Sequence, residues 1–250
     1  MLMCLNKINI TLFIISLVIS FSSFGQDKIN ENPNTDFKRF QIGINISPDI
    51  CFRTLKNNDG SSTSVGLMKS HNDRETTKIS YTTGLNFCFN IIKSISLETG
   101  FQYSNKGFQT KMMDLTFSGP PSTTLPTKSK SIYNFHYIDI PIKMNFSFGK
   151  NKIGFFTSVG IITNILIKND QTMVLVYSDK TEKATNPIIG NFKALNLSPI
   201  ISIGVDYKIN ERMNLRVEPI FRYGVMKIID APVTEYLWNG GLNISYFYGL

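Results

Sequence analysis

The sequence predicts an all-β chain that closes into an eight-stranded, antiparallel, up-and-down transmembrane β-barrel. Three observations lead there. The first is Tyr133 to Phe148, where Ile138, Ile140, Ile142, Met144, Phe146 and Phe148 alternate with Asp139, Pro141, Lys143, Asn145 and Ser147. That is the period of a strand lying between two unlike environments. The second is that the same two-faced pattern recurs to the chain's end, with long and short connections taking turns. The third is hydropathy. No apolar run of about 20 residues follows the first segment, so helical spans are excluded. A spanning strand needs only about 10 residues, half of them facing a lumen, and a mean hydropathy of −0.03 fits that economy.

Residues 1–25 place Lys7 before an apolar run from Ile8 to Phe21 and end in the small-x-small site Ser23-Phe24-Gly25. This reads as a secretory signal cut after Gly25, too short and wrongly flanked for an anchor. No cysteine stands at the cut, so a lipid anchor is not expected, and Cys4 leaves with the signal. The net charge of +8 includes Lys7 and falls to +7 without it. In an exported chain this balance suits anionic lipid or surface polysaccharide. Nucleic acid is not expected as a partner, because no basic helix or basic stripe with interleaved aromatics occurs.

Residues 26–38 are polar and aperiodic and form a periplasmic leader, and residues 39–250 form the barrel. The first strand runs from about Arg39 to Phe52, with Phe40, Ile42, Ile44 and Ile46 on one face and a bulge or rim at Pro48. Leu55 to Lys78 is hydrophilic and reads as a long exposed loop. The second strand, Ile79 to Asn90, alternates almost without error, and a tight turn leads to the third, from Ile95 to Ser104. Lys106 to Ser131 is a second long loop, kept irregular by Gly119-Pro120-Pro121 and Pro126. The fourth strand is followed by the turn Gly149-Lys150-Asn151. The fifth, Lys152 to Leu166, carries Phe156 and Ile162 on its otherwise small and polar face. A third long loop, Ile167 to Ala194, precedes the sixth strand, Leu195 to Tyr207. The turn Lys208 to Glu211 leads to the seventh, Met213 to Gly224, and a shorter loop from Met226 to Thr234 to the eighth, Tyr236 to Tyr248.

In hydrocarbon every backbone group must be paired, and a closed ring alone leaves no edge. Aromatic residues mark two interfaces, with Tyr81, Tyr103, Tyr223, Tyr236 and Trp238 at the loop ends. Phe40, Phe89, Phe146, Phe148, Tyr207, Tyr246 and Tyr248 stand at the turn ends. Parity alone also admits a soluble, lipocalin-like barrel with an apolar cavity. Against it, the second face is rich in Gly, Ser and Asn with few charges, which suits a crowded lumen better than a solvated exterior. Cys51 and Cys88 fall toward opposite ends of neighbouring strands, beyond the ~7 Å a disulfide allows, and are expected as structural free thiols.

Leu97-Glu98-Thr99-Gly100-Phe101-Gln102-Tyr103-Ser104-Asn105-Lys106-Gly107 resembles a strand of the PorT-type outer-membrane β-barrel family of the Bacteroidota. Tyr137-Ile138-Asp139-Ile140-Pro141-Ile142-Lys143 is similar to that family's next strand, and Glu218-Pro219 with Arg222-Tyr223-Gly224 to a late one. Asn239 to Tyr246 resembles the C-terminal signal read by the barrel-assembly machinery, although Leu250 stands where an aromatic residue is usual. The resemblance runs from about Arg39 onward and implies a Gram-negative outer-membrane location. Some members of the family serve protein secretion, but no matched motif is specific to that task.

Glu98, Asp139, Lys143, Asp206, Arg216, Glu218 and Arg222 share the lumen face. An eight-stranded interior is just wide enough for side chains, so these charges are read as a structural network in preference to an ion pathway. His136 invites comparison with Ser104 and Ser131 as an acyl-transfer site, but no acid or nucleophile stands at a characteristic spacing from it or from His71. No metal-ligand spacing, phosphate loop or dinucleotide fingerprint appears, and no cofactor is expected. The loop holding Phe108, Met112, Met113, Leu115 and Phe117 is more apolar than a solvated loop should be, and reads as packing over the mouth or against a partner. The expected role is therefore a non-enzymatic structural or interaction one, carried by long extracellular loops on a rigid barrel. The expected partners are outer-membrane lipid, the assembly machinery, and a surface or secretion-complex protein; the alternatives are an acyl-transfer enzyme and a narrow channel.

Overall fold

The computed structural model describes residues 38–118, 124–149 and 152–250. The expected signal, the leader apart from Lys38, Gly119-Pro120-Pro121, and Lys150 and Asn151 lie outside the described residues. Among these the strands are β1 (Phe40–Asn57), β2 (Glu75–Thr76), β3 (Lys78–Ile92), β4 (Ile95–Thr110), β5 (Met113–Asp114) and β6 (Lys128–Phe148). They continue with β7 (Ile153–Val176), β8 (Thr181–Pro187), β9 (Leu195–Lys208), β10 (Met213–Tyr223) and β11 (Val233–Gly249). One helix, α1 (Ser62–Arg74), follows β1. All pairings are antiparallel. They run β4–β3–β1–β11–β10–β9–β7–β6, and β6 pairs again with β4, so the ladder returns to its start.

Eleven strands stand where eight were expected, because β2, β5 and β8 fall in segments read as loops. The loop reading of 55–78 is corrected by α1 and by β1, which runs on to Asn57. Ser61 caps the helix, its Oγ accepting from the Ser64 amide at 3.1 Å. The helix buries only Ser64, so it had no apolar stripe to announce it. The loop readings of 106–131 and 167–194 are corrected likewise: β4 continues to Thr110, β6 starts at Lys128, and β7 runs to Val176 before folding back as β8. These extensions rise past the apolar band, where the outer face of a strand no longer meets hydrocarbon and the inner face meets a mixed apolar and polar mouth, so alternation loses its signal. Gly107 keeps β4 against β6 there, with φ of +140° and space for no side chain: a Cβ would lie 2.0 Å from the Tyr133 carbonyl oxygen.

Within the band, alternation divides two solvents. Asn45, Ser47, Asp49, Thr82, Asn86 and Asn145 are buried, whereas Ile44, Phe101 and Ile203 are 60 %, 60 % and 66 % exposed. A polar interior inside an apolar exterior reverses the arrangement of a water-soluble barrel and removes the lipocalin-like reading. On β1 the exposed residues are apolar from Phe40 to Ile50 and polar at Thr54 and Lys56. From Phe40 to Ile50, at ~3.3 Å per residue and a tilt of roughly 40°, the rise is about 25 Å, the height of an outer-membrane apolar band. Tyr81 and Tyr103, with ring centroids 5.8 Å apart, and Tyr223 beside Trp238 lie toward the loop end of this face. Phe89 beside Phe40, with Phe146, Tyr207 and Tyr246, lies toward the turn end. Cys51 and Cys88 are buried free thiols.

Candidate functional site

The interior has two storeys of different chemistry. In the lower one, Lys143 Nζ lies 2.8 Å from Glu218 and 3.2 Å from Glu98. Arg216 reaches Glu98 at 3.4 Å and Asp206 at 2.9 Å, with its guanidinium 4.7 Å from the Phe247 ring centroid. Asn243 donates to Glu218 at 2.8 Å and Asn145 to Glu98 at 3.0 Å. Gly204 makes room for this packing: a Cβ there would stand 2.7 Å from Glu218 Cβ and 2.8 Å from the Phe156 ring. Arg222 and Asp139 belong to separate clusters. Arg222 pairs with Asp49 at 3.2 Å, and Asn239 and Thr82 donate to the same carboxylate. Asp139 pairs with Lys106 at 3.2 Å and accepts from Ser104 and Asn164. Sequence reasoning passed over Asp49, which lies just beyond Pro48, and Lys106, which was assigned to a loop.

Each of these charges has an opposite partner, which is the condition for keeping charges out of water. The apolar side chains Phe156, Ile162, Ile200 and Ile220 fill the remaining space.

The upper storey lies beyond the apolar band and is apolar. Phe108, Phe135, Tyr137, Ile228 and Leu237 form a buried cluster joined by Tyr133 and Phe192. Phe108, expected in a loop packed over the mouth or against a partner, is a β4 residue packed inside the mouth, its ring 4.8 Å from that of Tyr133. Met112, Met113 and Phe117 remain exposed, and Leu115 is half-buried, its amide donating to the Thr127 carbonyl. Arg53 enters this storey from β1. Its Nε and Nη2 donate to Glu75, its Nη1 donates to Asn72 at 3.2 Å, and its guanidinium carbon lies 5.1 Å from the Phe108 ring centroid. His71 of α1 completes the Glu75 partners at 2.8 Å.

A cavity of about 120 Å³ opens in this cluster, lined by the rings of Phe108, Tyr133, Phe135 and Phe192, the aliphatic Ile188 and Ile229, and the polar His71, Glu75 and Glu235. Among the described residues the Glu235 carboxylate accepts no hydrogen bond and joins no ion pair. Burial pushes its pKa up to about 7, with Arg53 opposing and Glu75 adding to the shift. Glu235 stands one residue before the strand that alternation predicts from Tyr236, so the sequence does not single it out.

On the outer wall above the band, His136 Nδ1 lies 2.5 Å from the Tyr103 hydroxyl and its Nε2 3.2 Å from Asp170. Ser104 points to the opposite face, toward Asp139, and Ser131 Oγ accepts from Gln171, so the acyl-transfer arrangement drawn from the sequence does not form. A wider cleft of about 340 Å³ lies on the same wall. Its Lys78 ammonium is taken up by Asn105, Asn134 and the Lys106 carbonyl. Among the described residues no three His, Cys, Asp or Glu side chains gather as metal ligands.

Residues 24–230 match the family described as outer membrane protein beta-barrel domain, and the chain belongs to that family. No curated protein sequence matches the chain. Among solved structures, Neisserial surface protein A is 8% identical with a TM-score of 0.47, the match covering 84% of this chain and 97% of that one. The N-terminal β-barrel domain of Pseudomonas aeruginosa OprF is 10% identical with a TM-score of 0.33, covering 82% and 97%. The attachment invasion locus protein Ail of Yersinia pestis is 11% identical with a TM-score of 0.32, also covering 82% and 97%.

Proposed function

We propose that this member of the outer-membrane β-barrel family is a closed, eight-stranded, non-enzymatic barrel of the PorT type found in Bacteroidota, acting as an interaction scaffold at the cell surface. Its N-terminus is periplasmic, and the parts of the chain above the apolar band form an extracellular head that meets the partner. An accessory role in protein secretion is one use of such a scaffold.

The observation that carries this reading is the contrast between a saturated interior and an elaborated mouth. The charges of the lower storey are held in ion pairs, which supports a structural network over an ion pathway. Above them, α1, β2, β5, β8 and the outer ends of β1, β4, β6, β7 and β11 build ordered structure outside the band. Rigid scaffolds that present ordered polar surfaces do their work there. The orientation is supported by the short turns, 93–94 and 209–212, which lie at the end where β1 begins. Exposed Met112, Met113 and Phe117 give the head an apolar contact surface.

Photo-crosslinkers at Met113 and Phe117 on intact cells test the reading, with one at Phe89, at the turn end, as control. A discrete adduct from the head positions alone, identified by mass spectrometry, is expected. No adduct, or the same adduct from Phe89, overturns it.

A further inference from the structure

The mouth cavity has an unusual charge balance. Arg53, the cation nearest Glu235, is committed: two of its nitrogens serve Glu75, a third serves Asn72, and its flat face lies between Phe52 and Phe108. Arg53 and Glu75 therefore cancel, and His71 spends Nδ1 on Glu75. The carboxylate of Glu235 is left without a hydrogen-bonded or ion-paired partner among the described residues, facing a largely apolar wall.

Walls of that kind select the sign of a ligand. The π faces of Phe108, Tyr133, Phe135 and Phe192 are electron-rich, and a cation over such a face is attracted to it, more strongly once water is excluded. The fold already uses this attraction, holding Arg53 over Phe108. An anion would meet the Glu235 carboxylate at close range. A neutral apolar molecule would bury the carboxylate without compensation. A strongly hydrated metal ion would find a single free carboxylate, too few oxygen ligands to replace its water. A soft organic cation satisfies both the charge and the walls. About 120 Å³ gives room for a small ammonium group.

We propose that the mouth cavity binds a small organic ammonium ion, with Glu235 as its counter-charge and the rings of Phe108, Tyr133, Phe135 and Phe192 as its walls. This rests on the mouth being the working end of the barrel, and it names the ligand chemistry of that end. The groups facing Glu235 are Glu75 of β2, Arg53 of β1, His71 of α1 and Tyr133 of β6. Glu235 carries its charge above about pH 7 and loses it below, so affinity rises with pH through neutrality.

The test is calorimetric titration of the refolded full chain with tetramethylammonium and with neutral tert-butanol of similar size, at about pH 8 and about pH 5.5. Tetramethylammonium is expected to bind saturably and at least about tenfold more tightly than tert-butanol at the higher pH, with most of that preference gone at the lower. Glu235→Gln is expected to remove the preference at both pH values while cold and heated gel migration still reports a folded barrel. Equal affinity for the two probes, no saturable binding, or a Glu235→Gln chain that keeps the preference each overturns the ammonium site. The probe comparison is made on the unmodified chain, so it decides even if the variant does not fold. None of these failures touches the scaffold reading, which the surface crosslinks decide separately.

Discussion

The lower and upper storeys of the interior solve the same packing problem in opposite ways. Below, charges are buried and every one is answered: Lys143 by two glutamates, Arg216 by Glu98 and Asp206, Arg222 by Asp49. Above, rings fill the mouth and one carboxylate, Glu235, is left unanswered. A saturated network resists change, because removing any one partner strands the others in a dry interior. An apolar plug with a surplus charge is incomplete by itself and gains from a ligand. The difference separates the part of the chain that holds the barrel shut from the part that can respond.

The comparison can be broken most forcefully from below. Lys143→Leu leaves Glu98 and Glu218 facing each other without their shared cation, and is expected to cost about 3–5 kcal/mol. A fall in the temperature at which the cold-migrating gel form converts to the heated form measures it. Adding Glu98→Gln and Glu218→Gln to that variant should recover most of the loss, since neutral partners need no cation.

A smaller and more local effect is expected above. Phe135→Ala removes a ring whose centroid lies 5.5 Å from that of Phe192, and about 3 kcal/mol of packing with it. The loss belongs to the head, so protease cleavage within 106–131 and 167–194 should accelerate while gel conversion stays nearly unchanged. Equal sensitivity of both readouts would show that the storeys are one cooperative unit.

The smallest effect sharpens the comparison by pH. Burial raises the Glu235 carboxyl above its unfolded value, so the folded head holds a proton that the unfolded chain has released. Stability of the head therefore falls as pH rises from about 4.5 to about 7 and is level above. Glu235→Gln should flatten this profile and make the head more protease-resistant than the unmodified chain at about pH 8, with little difference at about pH 5.

How far the sequence discloses this arrangement depends on the solvent around each segment. Between Ile79 and Asn90 one face meets hydrocarbon and the other a polar interior, so period two is written plainly and the strand is legible. From Asn105 to Thr110, and again from Ile167 to Val176, neither face has a single solvent, and the strands hide among polar residues. The helix Ser62–Arg74 hides for a related reason, burying one small polar residue instead of an apolar stripe. Grouping Glu98, Lys143, Arg216 and Glu218 on one face needed only parity, whereas the Asp49–Arg222 pair joins residues 173 apart and depends on the ring closing. Glu235 carries no local signature, since its surroundings come from β1, β2, β4 and β6.

The central claim is that the lower storey is closed, and planar-bilayer recording of the refolded protein tests it most directly. The membrane is expected to stay at baseline, because each of these lumen charges is held by a partner. Stable, discrete conductance steps that disappear when Lys143, Glu98 and Glu218 are replaced together by neutral residues would contradict it, and would turn the network into the lining of a pore.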